Sequence, residues 1–186
     1  MEALFGGSFD PVHVGHLIVA ETLAEVLNAR VRFLPAREQP LKRQAAVASP
    51  EARAAMLELA IAGNPRFRLE RLELALPAPS YTVSTLRALA SREPGTRFAL
   101  LVGADAAGEL PRWHEVEALP GLADVIAFTR PGSVVAAHPA ITRTVSVPGL
   151  EISATAVRQR VAAAQSIRYL VPDAVRDYIG THALYR

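Results

Sequence analysis

Short apolar runs alternate with longer amphipathic segments along most of the chain. Uninterrupted apolar runs, typical of strands buried in a parallel sheet, occupy residues 3–5, 98–102 and 125–128. Segments with helical spacing separate them, as in residues 17–27 and 50–61. This alternation predicts an α/β fold in which a mostly parallel sheet is covered by helices on both faces.

Several local signals mark where elements begin and end. Ser49 followed by Pro50 is typical of a helix start, and Gly63 is typical of its end. Residues 67–69 and 72–74 alternate apolar and charged positions, which predicts short strands or an edge segment. Hydroxyl-rich starts predict two more helices, one from residues 80–82 and one from residues 152–155.

Glycines follow three of the predicted strands. Gly6, Gly103 and Gly132 each come where an apolar run ends. Because the carboxyl ends of parallel strands meet at one edge of a sheet, we expect these turns to share one cleft.

The first of these turns has the features of a phosphate site. Gly6 and Gly7 lack a Cβ, so they allow a sharp turn and close approach to a ligand. The helix that follows offers unpaired N–H groups, and His13 and His16 add ring nitrogens. The alternatives are a simple glycine turn with two surface histidines, or a zinc site. Zinc is disfavoured, because no third or fourth ligand lies at metal spacing nearby and the chain has no Cys.

Composition limits the class of protein. At 186 residues, we expect one domain spanning residues 1–186. A net charge of +2 is too small to indicate nucleic acid or an anionic membrane as a partner. The lack of Cys excludes thiol catalysis and is compatible with the reducing cytoplasm, where we expect the protein. The chain enters a strand directly after Met1-Glu2, which indicates no signal peptide, and no apolar run approaches the length of a membrane span.

A longer motif around the first turn carries a family resemblance. Residues 7–16, Gly-Ser-Phe-Asp-Pro-Val-His-Val-Gly-His, resemble the nucleotidylyltransferase signature G-x-F-D-P-x-H-x-G-H. Neither the dinucleotide-fold fingerprint nor the P-loop pattern is present. Over nearly its whole length the chain is similar to the bacterial nicotinate-nucleotide adenylyltransferase family. Further matching features are residues 79–82 with Thr85, residues 103–105, Trp113, residues 130–132, residues 152–155 with Arg158, and residues 168–172.

The resemblance implies a Rossmann-like, doubly wound sheet and a defined reaction. ATP and nicotinate mononucleotide would be joined into nicotinate adenine dinucleotide, with release of pyrophosphate, as a step of NAD biosynthesis. Direct in-line attack without a covalent enzyme intermediate is expected. The attacking phosphate oxygen is already an anion, so a strong general base is unnecessary. Mg²⁺ would be bound through the substrate phosphates. The oligomeric state is left open.

Site residues follow from the same resemblance. Those implied for catalysis are His13, His16 and Arg158. Those implied for ATP binding are Gly6, Gly7, Ser8, Phe9, His13, His16, Gly103, Asp105, Ser153, Thr155 and Arg158. Those implied for nicotinate mononucleotide are Lys42, Thr82, Thr85, Asp105 and Trp113.

Selectivity for the acid over the amide is expected around Thr85 and Trp113. Helix starts at residues 80–82 and at Trp113 would provide free backbone N–H groups for the carboxylate. No acidic residue in 80–85 or 111–114 offers an acceptor for a carboxamide.

Two positions depart from the family pattern, and several alternatives stay open. Ala154 replaces a common Ser, and Leu41 replaces a common His.

Composition alone favours Trp113 as a core anchor. Residues 36–44 form either a solvated loop or a flap over a ligand. The rival functions are a phosphopantetheine adenylyltransferase, an enzyme for nicotinamide mononucleotide, and a nucleotide-binding regulatory domain without turnover.

Overall fold

Six parallel strands form one sheet in the computed structural model, which describes residues 1–41 and 46–186. The strands are β1 (Glu2–Gly7), β2 (Arg30–Pro35), β3 (Phe67–Leu69), β4 (Phe98–Gly103), β5 (Asp124–Thr129) and β6 (Ile141–Ser146). Their order is β3-β2-β1-β4-β5-β6, and each neighbouring pair is parallel. The strand order reverses between β1 and β4, as in doubly wound Rossmann-like sheets. The predicted fold class is confirmed.

Seven α-helices are present in the described part of the chain, and the last two follow β6. The helices are α1 (Val14–Leu27), α2 (Pro50–Ile61), α3 (Leu72–Ala75), α4 (Thr82–Arg92), α5 (Ala104–Gly108), α6 (Ala154–Ala162) and α7 (Asp173–Thr181). Two 3₁₀ helices, Leu110–Arg112 and Val116–Gly121, follow α5. None of the helices in these two ranges has the length and apolar character that crossing a bilayer requires.

Most predicted boundaries agree with the structure, and one element is different. Ser49 and Ser153 cap α2 and α6, since their hydroxyl oxygens accept the amides of Ala52 and Ala156. Residues 72–74 were predicted to be extended, which is wrong, because they form the single turn α3. An alternation over three residues does not distinguish a strand from one helical turn.

Each face of the sheet packs against its own set of helices. Phe5 and Phe33 point to the face covered by α1, α2, α6 and α7. Leu4 and Leu34 point to the face covered by α4, α5 and the two 3₁₀ helices. Neighbouring positions along one strand alternate between faces, so both cores are built from the same strands.

A buried ion cluster fixes α4 against the amino ends of the strands. The Arg32 guanidinium on β2 donates to the carboxylates of Glu2 and Glu93, and it lies 5.4 Å from the centre of the Phe98 ring. Arg32 lowers the pKa of Glu93 to about 2 through its hydrogen bonds and charge. The ion cluster holds the carboxyl end of α4 at the amino edge of the sheet, so the opposite, carboxyl edge is available for a site.

Candidate functional site

The three predicted glycine turns do lie at one edge of the sheet. Gly6 is near the end of β1, Gly103 ends β4, and Gly132 follows β5 with a positive φ of 81°. β1, β4 and β5 are neighbours, so their ends are adjacent. The turn after β1 is different from the prediction, because Gly6 and Gly7 still belong to the strand. The left-handed residue that reverses the chain is Phe9, with a φ of 48°.

The two glycines of β1 have different reasons to lack a side chain. A Cβ on Gly7 would lie 3.0 Å from the ring carbon Cζ of Phe9, so the packing of Phe9 requires glycine there. A Cβ on Gly6 would meet no atom within 4 Å. Gly6 instead lines an open cavity, where glycine lets a ligand approach the backbone.

Two helix starts converge beside this turn. α1 begins at Val14 and α6 begins at Ala154. A Cβ on Gly15, in the first turn of α1, would lie 4.0 Å from Cβ of Ile152, just before α6. α1 has 14 residues and α6 has 9. The amino end of each helix carries unpaired N–H groups and a partial positive charge. Two converging helix amino ends are suited to stabilise an anion from two directions.

The two motif histidines stack at the start of α1. Their ring centroids are 3.7 Å apart, and the His13 backbone N–H donates to Nδ1 of His16 over 3.2 Å. The His16 ring also packs against Phe9, with centroids 5.0 Å apart. His13 is only 3% exposed. Burial, together with the charge of Arg130, lowers the pKa of His13 to about 4, so this imidazole is neutral at pH 7.

Arg158 on α6 joins the second helix to the motif. One Nη donates to the backbone oxygen of Asp10 over 2.7 Å, and the other donates to Oγ1 of Thr155 over 3.3 Å. The structure therefore brings together five residues that were predicted to lie at the phosphates. We call them the anion-binding cluster, after this predicted role: His13, His16, Ser153, Thr155 and Arg158. Their roles toward ATP stay a prediction.

Asp10 is the residue through which the motif is attached to the rest of the chain. Its buried carboxylate accepts the backbone N–H groups of Val47 and Ala48, at 2.7 and 3.1 Å, and the hydroxyl of Tyr185 at 2.7 Å. Burial and this hydrogen bond raise the pKa of Tyr185 well above its usual value. Sequence analysis did not find this set, since nothing in the pattern around Tyr185 relates it to a residue 175 positions earlier.

Arg53 on α2 supports the same turn from the core side. This buried guanidinium donates to the backbone oxygen of Ser8 over 2.7 Å and to that of Ala48 over 3.3 Å. The Ser8 hydroxyl donates to Oε1 of Gln39 at 2.8 Å, and Phe9 is 2% exposed in the core. The side chains of Ser8 and Phe9, both predicted at the ATP site, therefore contact protein, and a ligand would meet mainly their backbone.

A cavity of about 770 Å³ opens beside this anion-binding cluster. It is formed at the ends of β1 and β4 and is closed by the start of α4 and the chain after α5. The predicted residues on its wall are Gly6, Gly7, Thr82, Thr85, Gly103, Asp105 and Trp113. Lys42, also predicted here, lies outside the described residues. Most residues expected for the mononucleotide thus surround one cavity.

The segment after β2 is attached to the start of α4. The Ser80 hydroxyl oxygen accepts the backbone N–H of Arg37 at 3.0 Å, and the Ser80 N–H donates to the oxygen of Glu38 at 2.9 Å. The next residues, Gln39 to Leu41, line the cavity. The described part of the predicted loop or flap is therefore fixed to Ser80 on one side of the cavity.

Trp113 lies on the cavity wall, although not at a helix start as predicted. It follows the 3₁₀ helix Leu110–Arg112, and its backbone N–H donates to Leu110 over 2.9 Å. Its N–H is therefore not available to a carboxylate. The prediction of free N–H groups is also wrong for Ser80 and Tyr81, which donate to the backbone oxygens of Glu38 and Pro79. The indole is half-buried against the core and lines the cavity, so it has contact with both. Next to it, the rings of Tyr81 and His114 pack with centroids 4.5 Å apart.

Glu73 is a cavity residue that sequence analysis missed. Its buried carboxylate accepts the Thr85 hydroxyl over 3.0 Å, and both side chains line the cavity. The expectation of no acidic acceptor covered only residues 80–85 and 111–114, which do contain no acidic residue, and Glu73 lies outside both ranges. Glu73 is 12 residues from Thr85 and belongs to the turn α3.

Known proteins resemble the chain in both sequence and structure. Residues 4–160 match the Cytidylyltransferase-like family. A protein of Thermus thermophilus named "Probable nicotinate-nucleotide adenylyltransferase" is 45% identical, over 98% of each chain. A protein of the same name from Geobacillus thermodenitrificans is 44% identical, over 98% of this chain and 84% of its own. The chain belongs to the nicotinate-nucleotide adenylyltransferase branch of the Cytidylyltransferase-like family.

A solved structure agrees with the fold. Nicotinic acid mononucleotide adenylyltransferase of Plasmodium falciparum, in complex with NaAD, superposes with a TM-score of 0.81. The match covers 99% of this chain and 96% of that one, at 20% identity. The sequence relatives confirm the family and enzyme class that were predicted from the motif in residues 7–16 and the further matching features along the chain.

The Asp10–Tyr185 hydrogen bond predicts a measurable contribution to stability. Tyr185→Phe removes a buried donor to a carboxylate, so we expect a loss of about 1.5–3 kcal/mol in the free energy of unfolding. Tyr169→Phe is the control, because Tyr169 is 81% exposed. Urea unfolding measures both variants. Equal midpoints for the two would contradict the assigned role of Tyr185.

Proposed function

We propose that this protein transfers the adenylyl group of ATP to nicotinate mononucleotide, forming nicotinate adenine dinucleotide and pyrophosphate in NAD biosynthesis. The observation that carries the proposal is the position of the anion-binding cluster directly beside a cavity with an aromatic wall. Membership of the nicotinate-nucleotide adenylyltransferase family supports the same reaction. The cleft has two halves. The phosphate half is the anion-binding cluster, and the pyridine half is the cavity whose wall includes Trp113. Each half would suit one substrate.

The phosphate half would bind ATP. Two helix amino ends supply N–H groups, and Arg158 supplies a positive charge that Asp10 holds in place. His13 stays neutral at pH 7, so it would act as a hydrogen-bond donor to phosphoryl oxygens and not as a cation. The Ser153 hydroxyl oxygen already accepts the Ala156 amide, which leaves its own proton available for a phosphate.

The pyridine half would bind the mononucleotide. Trp113 offers a ring for stacking, and Thr82 and Thr85 lie across the same cavity. Thr82 is the first residue of α4, so the positive end of that helix faces this part of the site. A carboxylate on the pyridine ring would be stabilised there more than a neutral amide. Lys42 is proposed as a further contact to the mononucleotide.

The reaction joins the two halves in one displacement. A phosphate oxygen of the mononucleotide attacks the α-phosphorus of ATP, and a new P–O bond forms. The bond from that phosphorus to the oxygen bridging the β-phosphate breaks, and pyrophosphate leaves with the electron pair. Positioning and stabilisation of charge on the phosphoryl oxygens are the protein's contributions. His13, His16 and Arg158 are the groups proposed to provide them.

The implied Mg²⁺ would enter with the phosphates. Residues 1–41 and 46–186 contain no group of three His, Asp or Glu side chains placed to hold a metal ion. The Asp10 carboxylate, in the motif itself, is already used by three donors. Mg²⁺ typically keeps several waters and binds through substrate phosphates, where it would neutralise their charge. We therefore assign no side chain to it.

Replacement of His16 tests the phosphate half. His16→Ala removes one donor preorganised for the transferred phosphoryl group, so we expect kcat to fall by roughly a hundredfold, about 3 kcal/mol. His182→Ala is a control histidine at the end of α7. Thermal unfolding verifies that both variants are folded. A folded His16→Ala protein with near-normal turnover would show that this residue is only structural.

A comparison of acceptors tests the proposed substrate. With the same ATP and Mg²⁺ at pH 7, we expect kcat/KM for nicotinate mononucleotide to exceed that for nicotinamide mononucleotide by about thirty- to a thousandfold. This corresponds to roughly 2–4 kcal/mol, because the amide lacks the charge and leaves a donor unpaired. Pyrophosphate release and dinucleotide formation are measured together. Equal values, or a preference for the amide, would contradict the assignment.

A further inference from the structure

Glu73 is a buried carboxyl group on the wall of the pyridine half. It is 8% exposed, and its Oε1 accepts the Thr85 hydroxyl at 3.0 Å. Burial raises the pKa of Glu73 to about 7, and the bond from Thr85 opposes that shift only in part. The charge of this group therefore changes near neutral pH.

Other charged groups around Glu73 are engaged elsewhere. Glu70 and Arg71, which flank α3, pair with Arg92 and Glu58. On the cavity wall, Glu109 pairs with Arg112. Nε2 of His114 lies 3.2 Å from Oε1 of Glu115. Asp105 also lines the cavity, as does Tyr81, which directly precedes α4. Within the described residues, burial and Thr85 are the influences on Glu73.

The Thr85 hydroxyl has one proton and more than one possible acceptor. Its oxygen lies 3.0 Å from Oε1 of Glu73 and 3.3 Å from the backbone oxygen of Tyr81. When Glu73 is ionised, its carboxylate accepts the hydrogen bond that the Thr85 hydroxyl donates. When Glu73 is protonated, its own O–H can donate to Thr85, and the Thr85 proton becomes available to an acceptor in the cavity. The state of Glu73 thus decides whether Thr85 is a donor or an acceptor toward a ligand.

We propose that Glu73, acting through Thr85, is a specificity-determining residue that makes binding of a ring carboxylate in this cavity depend on protonation of Glu73. The inference rests on the proposed function. Ionised Glu73 repels a ligand carboxylate near Thr85. The Thr85 hydroxyl then donates to Glu73 and is not available as a donor to the ligand. A carboxamide has no charge to repel, and its NH₂ can donate to Thr85. The preference for the acid is therefore largest below the pKa of Glu73 and falls as the pH rises through it.

The pH dependence of acceptor preference tests this coupling. We measure the ratio of kcat/KM for nicotinate and nicotinamide mononucleotide from pH 6 to pH 8.5. The two acceptors share the same ribose phosphate, so titration of phosphate, ATP and the rest of the site largely cancels in the ratio. We expect the ratio to fall by roughly tenfold between pH 7 and pH 8.5. A constant ratio would overturn the proposal.

Two variants assign the effect to Glu73. Glu73→Gln keeps a donor for Thr85 at every pH, so its ratio should stay constant and near the low-pH value. His114→Gln is the matched control, because His114 lines the same cavity, and it should retain the fall. A fall that persists in Glu73→Gln would overturn the proposal.

Proton uptake provides a test on the unmodified chain if Glu73→Gln does not fold. Calorimetric titration at pH 8 in buffers of different ionisation enthalpy gives the protons taken up with each mononucleotide. We expect the acid to take up more protons than the amide, with a difference approaching one, and equal uptake would overturn the coupling. The proposed function fails separately, since it is refuted if neither mononucleotide yields a dinucleotide, whereas turnover with a constant ratio refutes only the coupling.

Discussion

The carboxylate of Asp10 holds the anion-binding cluster in place. Three donors reach it from segments distant in sequence, the amides of Val47 and Ala48 and the hydroxyl of Tyr185. Its backbone oxygen in turn fixes Arg158. Because a buried charge without partners is costly, this set must form as a unit. The turn from β1 into α1, the start of α6 and the end of the chain are therefore positioned by one residue, through its carboxylate and its backbone oxygen.

Both halves of the cleft contain an ionisable group whose charge is suppressed by burial. In the phosphate half, His13 is neutral at pH 7 and avoids adding a titrating cation beside Arg130. In the pyridine half, the pKa of Glu73 is shifted to about 7. Shifts of this kind are frequent at functional sites, because the same burial that excludes water also penalises charge. Under the proposed function, phosphate binding would not change with the charge of His13 near pH 7, whereas recognition of the pyridine ring would change with the charge of Glu73.

Sequence reasoning found what is encoded locally and missed what depends on tertiary contacts. The buried strands, the caps Ser49 and Ser153 and the motif in residues 7–16 have short-range signals, and the structure has them as expected. The left-handed turn at Phe9 was missed because glycines are the usual residues for such a turn. The bonds of Tyr185 to Asp10 and of Thr85 to Glu73 join separate elements, so no periodicity or spacing reveals them.

The two halves of the cleft should bind their substrates independently, and replacement of Trp113 tests this directly. Trp113→Ala removes stacking in the pyridine half, worth about 0.5–1.5 kcal/mol beyond buried area. We predict that KM for nicotinate mononucleotide rises several-fold while KM for ATP stays near the wild-type value, and that Trp113→Phe restores most of the loss. If both KM values rise equally, Trp113 is a core residue whose loss disturbs packing throughout the cleft, which would contradict the account.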